Sequence, residues 1–406
     1  MPRHQDEYLY NQLIPYIGNK RRLLPLIRQA LARTGVSSGR FLDLFAGSTA
    51  VARLGKWLGY TVLCNDWEPY SRVTAECYIG QNRPPAFAAL KGMEAAFHRL
   101  NHLPPRRGYI ARHYCPADDE APDPEHERMF YTQENGRRID AMREQIAAWR
   151  ADGAIDAREE AVLLAPLIFQ AAYCSNTSGV FKAFHHGWGG RTGTALYRIR
   201  SRLTLSPPLF FDNGRANRVY CEDALELAKR LEAEIIYLDP PYNQHQYGAN
   251  YHLLNTVALW DCPAVSPTHR QNGRSVDKAA IRQDWKASRR SLFCSRQRAA
   301  DSWVQLVARC RADWILVSYS SDGIVPLPAL VEILCGRGQV TPIVQTYKRY
   351  RVSTQRFSPR GYNLEGVFVV ETRRRGGSGN ARLVLDALSA AAEALPASNT
   401  APRRSL

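Results

Sequence analysis

The chain has 406 residues, enough to bury a full core and to hold more than one domain. Its 54 Lys and Arg outnumber 38 Asp and Glu, a formal charge of +16 that points to a polyanionic partner such as nucleic acid. No apolar run is long enough to span a membrane, and the N-terminal residues lack a signal-peptide stretch. The nine cysteines are odd in number and contain no C-x-x-C pair, so neither a disulfide framework nor a zinc ribbon is expected, and a reducing, cytoplasmic setting is.

Residues 14–24 place a Gly-Asn turn, Gly18-Asn19, before a basic amphipathic helix. By residue type alone Lys20 is a solvated helix-start residue. Residues 40–52 read as an apolar strand, a small-residue turn around Gly47, and a helix start with Ser48 or Thr49 as N-cap. Such a turn lets a cofactor approach the backbone closely. Residues 60–66 form a second strand ending in Asp66, an acid that suits a ribose diol at the switch point of a doubly wound sheet. A dinucleotide site has the same outline, but the G-x-G-x-x-G spacing is absent and Gly47 stands alone in its turn.

The next stretch, residues 76–214, reads as a long and mostly helical insert. Helical patterns cover 86–100, 137–152 and 157–174, and the Pro- and acid-rich run 116–125 is a solvated loop. Residues 176–191 interleave aromatics, glycines and cations without a helix or strand period. That pattern suits backbone and base contacts in a nucleic acid, and equally a glycine-rich loop packed on the rest of the fold. His113-x-Cys115 and His185-His186 are packed or solvated, since nothing completes a tetrahedral ligand set; no metal is expected. Residues 206–210, Ser-Pro-Pro-Leu-Phe, are a loop entering the strand at Val219–Cys221. Asp223 after that strand can accept from an amino group such as that of an adenine, or cap a surface helix.

The apolar run Ile235–Leu238 ends in Asp239-Pro240-Pro241-Tyr242. Two prolines fix the backbone and remove two N–H donors, so their carbonyls project in set directions. The Asp239 carboxylate and the Pro240 carbonyl can each accept from an exocyclic amine, and Tyr242 can stack on a ring. These are the parts needed to hold a flat amino-bearing base. Residues 251–260 then read as a helix. Residues 262–290 read as a basic arm on a DNA backbone or a solvated loop, with Arg270, Arg274, Lys278, Arg282, Lys286, Arg289 and Arg290. Residues 314–320 are a buried strand, and 339–350 with 366–371 are closing strands, readable as an antiparallel hairpin. Beyond Arg373 a linker and a frayed Ala-rich tail helix are expected.

In wording and order these segments resemble the Dam-like, alpha-class adenine-specific DNA methyltransferases: Tyr16-Ile17-Gly18-Asn19-Lys20, then Phe45-Ala46-Gly47, Cys221-Glu222-Asp223, and Asp239-Pro240-Pro241-Tyr242. Residues 243–252, 318–323 and 347–351 also look like this family. The resemblance covers 14–75 and about 215–372 and is weak between them. One departure is visible: the family's Phe-x-Gly-x-Gly has Thr49 in place of its second glycine.

The resemblance implies an α/β fold, a Rossmann-like S-adenosylmethionine-dependent methyltransferase sheet. Residues 10–75 and 215–372 are its catalytic domain, 76–214 an inserted target-recognition region and 373–406 a flexible basic tail. It implies that Tyr16 and Lys20 line the cofactor pocket, that Asp43, Phe45 and Gly47 form the S-adenosylmethionine turn, that Asp66 binds the ribose hydroxyls, and that Asp223 binds the cofactor adenine. Asp239, Pro240 and Tyr242 then hold the target adenine for N6 methylation. The implied partners are double-stranded DNA and, in a restriction-modification system, a cognate endonuclease; the implied setting is a prokaryotic or phage cytoplasm, at the nucleoid. An RNA adenine or amino-cytosine methyltransferase, and a catalytically inactive nucleic-acid-binding relative, share these features and stay open at this point.

Overall fold

The computed structural model describes residues 3–123, 125–266, 269–271, 274–276, 279–348 and 362–393. The motif residues Arg349-Tyr350-Arg351, the arm residue Lys278 and the tail pair Arg403-Arg404 lie outside them. The strands are β1 (Arg40–Asp43), β2 (Thr61–Asn65), β3 (Arg218–Tyr220), β4 (Glu232–Leu238), β5 (His269–Gln271), β6 (Arg274–Val276), β7 (Arg311–Ser320), β8 (Gln339–Lys348) and β9 (Tyr362–Glu371). Helices of eight residues or more are α1 (Arg3–Tyr10), α2 (Leu24–Arg33), α3 (Ala50–Trp57), α4 (Pro69–Tyr78), α5 (Met93–Asn101), α6 (Gln133–Ala151), α7 (Ala157–Tyr173), α8 (His252–Leu259), α9 (Ala299–Arg309), α10 (Leu327–Arg337) and α11 (Gly377–Glu393). Seven strands belong to one sheet in the order β3-β2-β1-β4-β7-β9-β8, and β5 with β6 forms a separate hairpin. The fold is the Rossmann-like α/β sheet of a methyltransferase.

The chain divides into two compact units. One comprises the described residues within 23–44, 225–244 and 291–406. Here β1, β4 and β7 run parallel, with Asp43 opposite Tyr237 and Leu238 opposite Val317. Phe41, Leu42, Ile235, Ile236, Leu238, Ile315, Leu316 and Val317 are fully buried. Strands covered on both faces read as continuous apolar runs, which is why these segments show no alternation. β9 pairs antiparallel with β7 on one side and with β8 on the other. The closing hairpin is therefore present, and its second strand is the one inserted next to β7. The Ala-rich stretch does not fray: α11 packs on α10 and β8 and buries Ala381, Val384 and Leu388. Its apolar positions recur at helical spacing, so one face finds a partner.

The other unit comprises the described residues within 1–22, 45–224 and 245–290. β2 runs parallel to β3, with Asn65 opposite Tyr220. The helical bulk of the insert belongs here. α6 starts at Gln133, earlier than its pattern suggests, because Thr132 caps it by accepting from the Asn135 N–H and both oxygens of Asp119 accept from the Gln133 N–H. α7 starts on a reciprocal capping box of Asp156 and Glu159. The expected helix 86–100 is divided by Gly92, at φ +102, into a short 3-10 turn and α5. The predicted Thr cap of α3 is also corrected. Thr49 stands at the N-cap position at φ +68, its side chain makes no cap bond, and its Oγ1 accepts from Arg53 Nε at 3.0 Å. A left-handed residue at this point turns its side chain away from the first-turn N–H groups. The glycine of the resemblance would adopt that φ without steric cost.

Candidate active site

In the unit that holds β2, the turn after Phe45 approaches the end of that strand. The Ala46 N–H donates to Asn65 O at 2.9 Å and the Gly47 N–H to Asp66 Oδ2 at 2.7 Å. Ser71 Oγ donates to Gly47 O at 2.7 Å, fixing the same turn from α4. Gly47 sits at φ +49, and a Cβ there would stand 2.9 Å from the Tyr16 ring. Glycine is thus required both by backbone sign and by space. Tyr16 is held in turn by a stack on Tyr251, with ring centroids 4.8 Å apart, whose hydroxyl accepts from the Ile17 N–H at 2.8 Å. Among the predicted site residues, Tyr16, Gly47 and Asp66 are brought into one cluster.

Asp66 receives a second backbone donor, the Glu68 N–H, on Oδ1 at 2.9 Å. Burial pushes its carboxyl above the usual range, against the pull of these N–H groups. Asn65 is buried, donates from Nδ2 to Glu222 O at 3.1 Å and accepts from the Glu222 N–H at 3.0 Å. That reciprocal pair anchors the residue before Asp223 to the residue before Asp66. Lys20 departs from its solvated reading: it is buried to 6% exposure and donates from Nζ to Gly18 O at 3.2 Å. A buried ammonium needs acceptors close by. Phe45 and Asp223 are partly buried.

In the unit that holds β4, Asp43 closes β1 and Asp239 follows β4, so both stand at the carboxyl ends of adjacent parallel strands. That is where ligands sit in open α/β sheets. Asp43 and Pro240 are buried, and Asp239 and Tyr242 are partly exposed. The elbow is supported from β7. Tyr237 Oη donates to Ser318 Oγ at 2.6 Å, and the Tyr242 carbonyl accepts from the Ile324 N–H at 2.8 Å. The Tyr242 ring meets the Tyr319 ring edge-on, centroids 5.8 Å apart, and Tyr319 rests edge-on against Trp303. Gly323 is a necessity of this support, since a Cβ there would lie 2.2 Å from the Tyr319 ring.

Several expected contact residues serve packing instead. Phe181 and Phe184 are buried against Phe130, and Trp188 Nε1 donates to Asp119 O at 2.8 Å. Asn176, fully buried at the start of this loop, holds its far part through His185 O and the Gly189 N–H. In the basic stretch, the Arg282 and Arg289 guanidiniums both lie over the Trp285 ring, 4.3 and 4.2 Å from its centroid. Arg282 also pairs with Asp261 and Asp284, and Arg289 donates to Trp67 O at 3.0 Å. Among the described residues no cluster of three or more His, Cys, Asp or Glu has the arrangement to hold a metal ion. None of their helices is long and apolar enough to cross a membrane.

Sequence reading missed Glu68, which is buried at 7% exposure. Its Oε2 accepts from Asn255 Nδ2 at 2.6 Å, and Asn255 Oδ1 accepts from the Tyr70 N–H at 3.2 Å. Burial pushes the Glu68 carboxyl up to about 7; the charge of Asp66 adds to this, and the Asn255 bond and Arg289 oppose it. The local signal was an acid two residues after a strand-end acid; its partner lies 187 residues away.

With this geometry in view, the profile of the D12 class N6 adenine-specific DNA methyltransferases matches residues 16–276. The chain belongs to that family. It is 33% identical over 343 residues to the type II methyltransferase M.NlaIII of Neisseria lactamica, covering 83% of this chain and 92% of that protein. It is 31% identical over 345 residues to the type II methyltransferase M.FokI of Planomicrobium okeanokoites, covering 84% of this chain and 49% of that protein. It is 32% identical over 325 residues to the modification methylase StsI of Streptococcus sanguinis, covering 79% of this chain and 46% of that protein. The chain thus spans nearly all of the first relative and about half of the other two. No solved structure matches it.

Proposed function

We propose that the protein is the modification methylase of a type II system, transferring a methyl group from S-adenosylmethionine to N6 of an adenine flipped out of duplex DNA, with a cognate endonuclease as its counterpart. It would act at the nucleoid of a prokaryotic or phage-infected cytoplasm. The observation that carries this reading is the Asp239-Pro240-Pro241-Tyr242 elbow at the carboxyl end of β4, beside the strand that ends in Asp43.

The residues present fit the methyl donor. The Gly47 turn leaves no room for a side chain, and the Gly47 and Glu68 N–H groups orient the Asp66 carboxylate. In this reading Tyr16 and Lys20 line the methionine part, Asp43, Phe45 and Gly47 form the turn, Asp66 takes the ribose hydroxyls and Asp223 the adenine amine. When bound, S-adenosylmethionine supplies an electrophilic methyl on a sulfonium. The Asp239 carboxylate and the Pro240 carbonyl each accept one hydrogen of the adenine amine. That withdraws the nitrogen lone pair from the ring and makes it available as a nucleophile. Acceptors fixed before reaction also stabilise the positive charge that develops on the amine. Tyr242 replaces the stacking lost when the base leaves the duplex. The insert offers exposed Arg191, Tyr197 and Arg200 as a DNA-facing set; Tyr197 is 72% exposed.

Tritiated methyl donor should label duplex DNA in preference to single-stranded DNA or RNA, at N6 of adenine in one short sequence. Asp239→Ala should reduce transfer by about a hundred- to a thousandfold, the scale of losing an electrostatic group that acts in the transition state, with donor affinity retained by calorimetry. Label on RNA alone, or normal turnover by Asp239→Ala, would overturn the proposal.

A further inference from the structure

The acid turn holds a buried carboxylate that the mechanism above does not use. Glu68 stands two residues beyond Asp66, and its own N–H, with that of Gly47, is among the backbone donors that orient the Asp66 carboxylate. The turn is only as fixed as Glu68 is. Its backbone is held at Glu68 O by the Arg72 N–H at 3.0 Å, in the first turn of α4. Its side chain is held by Asn255 of α8, which is itself fully buried. Asn255 bridges to the Tyr70 N–H, so one amide ties residues 68 and 70 together. Gly248 closes over the carboxylate, where an added Cβ would lie 3.4 Å from Oε1. Trp67, between the two acids, is held by Arg289 Nη1 on its carbonyl.

Burying a second carboxyl beside Asp66 is an expensive way to make a turn: burial raises both groups above their ordinary range, and Arg289 offsets this at Glu68 only in part. Such groups cluster where their geometry serves a ligand. We propose that Glu68 is a positioning residue for the methyl donor: through Asn255 it sets the turn from which Asp66 reaches the ribose hydroxyls. It touches no reacting atom. This rests on the assignment of Asp66 to the donor. The readout is therefore donor affinity, with turnover at saturating donor and DNA affinity unmoved.

The test uses the full-length protein, S-adenosylmethionine and a duplex containing the methylated sequence. Donor Kd is measured by calorimetry, KM and kcat by tritium transfer, and DNA Kd by anisotropy, for Glu68→Ala, Glu68→Gln, Asn255→Ala, the Glu68→Ala/Asn255→Ala pair and Asp66→Ala. Glu68→Ala should raise donor Kd and KM about tenfold, the scale of one lost buried hydrogen bond to a charged group, with kcat and DNA Kd within about twofold. Glu68→Gln keeps an acceptor for Asn255 and should restore affinity to within about threefold. The double variant should lose less donor affinity than the two single losses added together, because both remove the Glu68–Asn255 bond, while Asn255→Ala alone also removes the acceptor of the Tyr70 N–H. If Asp66→Ala weakens the donor and Glu68→Ala does not, the positioning role is wrong while the donor site stands. If Asp66→Ala leaves Kd unchanged, both fall. A uniform loss of donor affinity, kcat and DNA affinity in Glu68→Gln would also overturn the proposal, because it would make Glu68 part of the general fold.

Discussion

At the scale of single residues, the most consequential group is Glu68, because its chemistry couples the acid turn to proton concentration. Its carboxyl is pushed up to about 7 in the folded protein, chiefly by burial. In an unfolded chain it titrates near the ordinary ~4.3. A carboxyl with a raised folded value holds its proton longer in the native state than in the unfolded state. The native state is therefore penalised as pH climbs from the unfolded value through the folded one, and below the unfolded value there is no penalty. At ~1.4 kcal/mol per pH unit the full penalty above pH 8 is about 4 kcal/mol. Glu68→Gln removes it. Relative to the parent, that variant should gain stability between pH 5 and pH 8, read from urea midpoints at the two values. A difference that stays flat with pH would show that Glu68 is ionised in the native state without penalty, and that Asn255 and Arg289 compensate it fully.

At the scale of elements, legibility followed distance along the chain. The strand ends at Asp66 and Asp239, the two long helices of the insert and the closing hairpin were readable because period, caps and turn residues are local signals. The start of α7 is the clearest case, since Asp156 and Glu159 form the reciprocal box their spacing announces. Asp156→Ala should cost about 1 kcal/mol of stability by denaturant titration and leave donor affinity untouched. A loss of donor binding would mean that α7 communicates with the acid turn. What was not readable depended on partners far away in sequence. The insertion of β9 next to β7 is set by pairing between residues such as Ile315 and Val370. Nothing local says that Arg282 and Arg289 pack on Trp285, or that Asn255 holds Glu68. The left-handed Thr49 was misread as a helix cap because residue type reports a preference for caps and not the sign of φ.

For the whole molecule, the formal charge of +16 overstates what DNA can meet. Arg53, Arg138 and Arg143 are almost fully buried, each donating to at least one backbone carbonyl, and the Arg282 side chain is 7% exposed in its acid pairs. These cations hold the fold and release no counterions when DNA binds. Exposed cations can, and between residues 176 and 214 they include Arg191. Each phosphate neutralised contributes about 0.9 to the slope of log affinity against log salt. Affinity for duplex DNA should therefore fall steeply between low and physiological salt, with a slope well short of the formal charge. Arg191→Gln should lower that slope by about one while weakening all sequences alike, the behaviour of a phosphate contact. A slope unchanged in Arg191→Gln would move the DNA face off this part of the insert, and a parent protein indifferent to salt would break the link between its basic surface and nucleic acid.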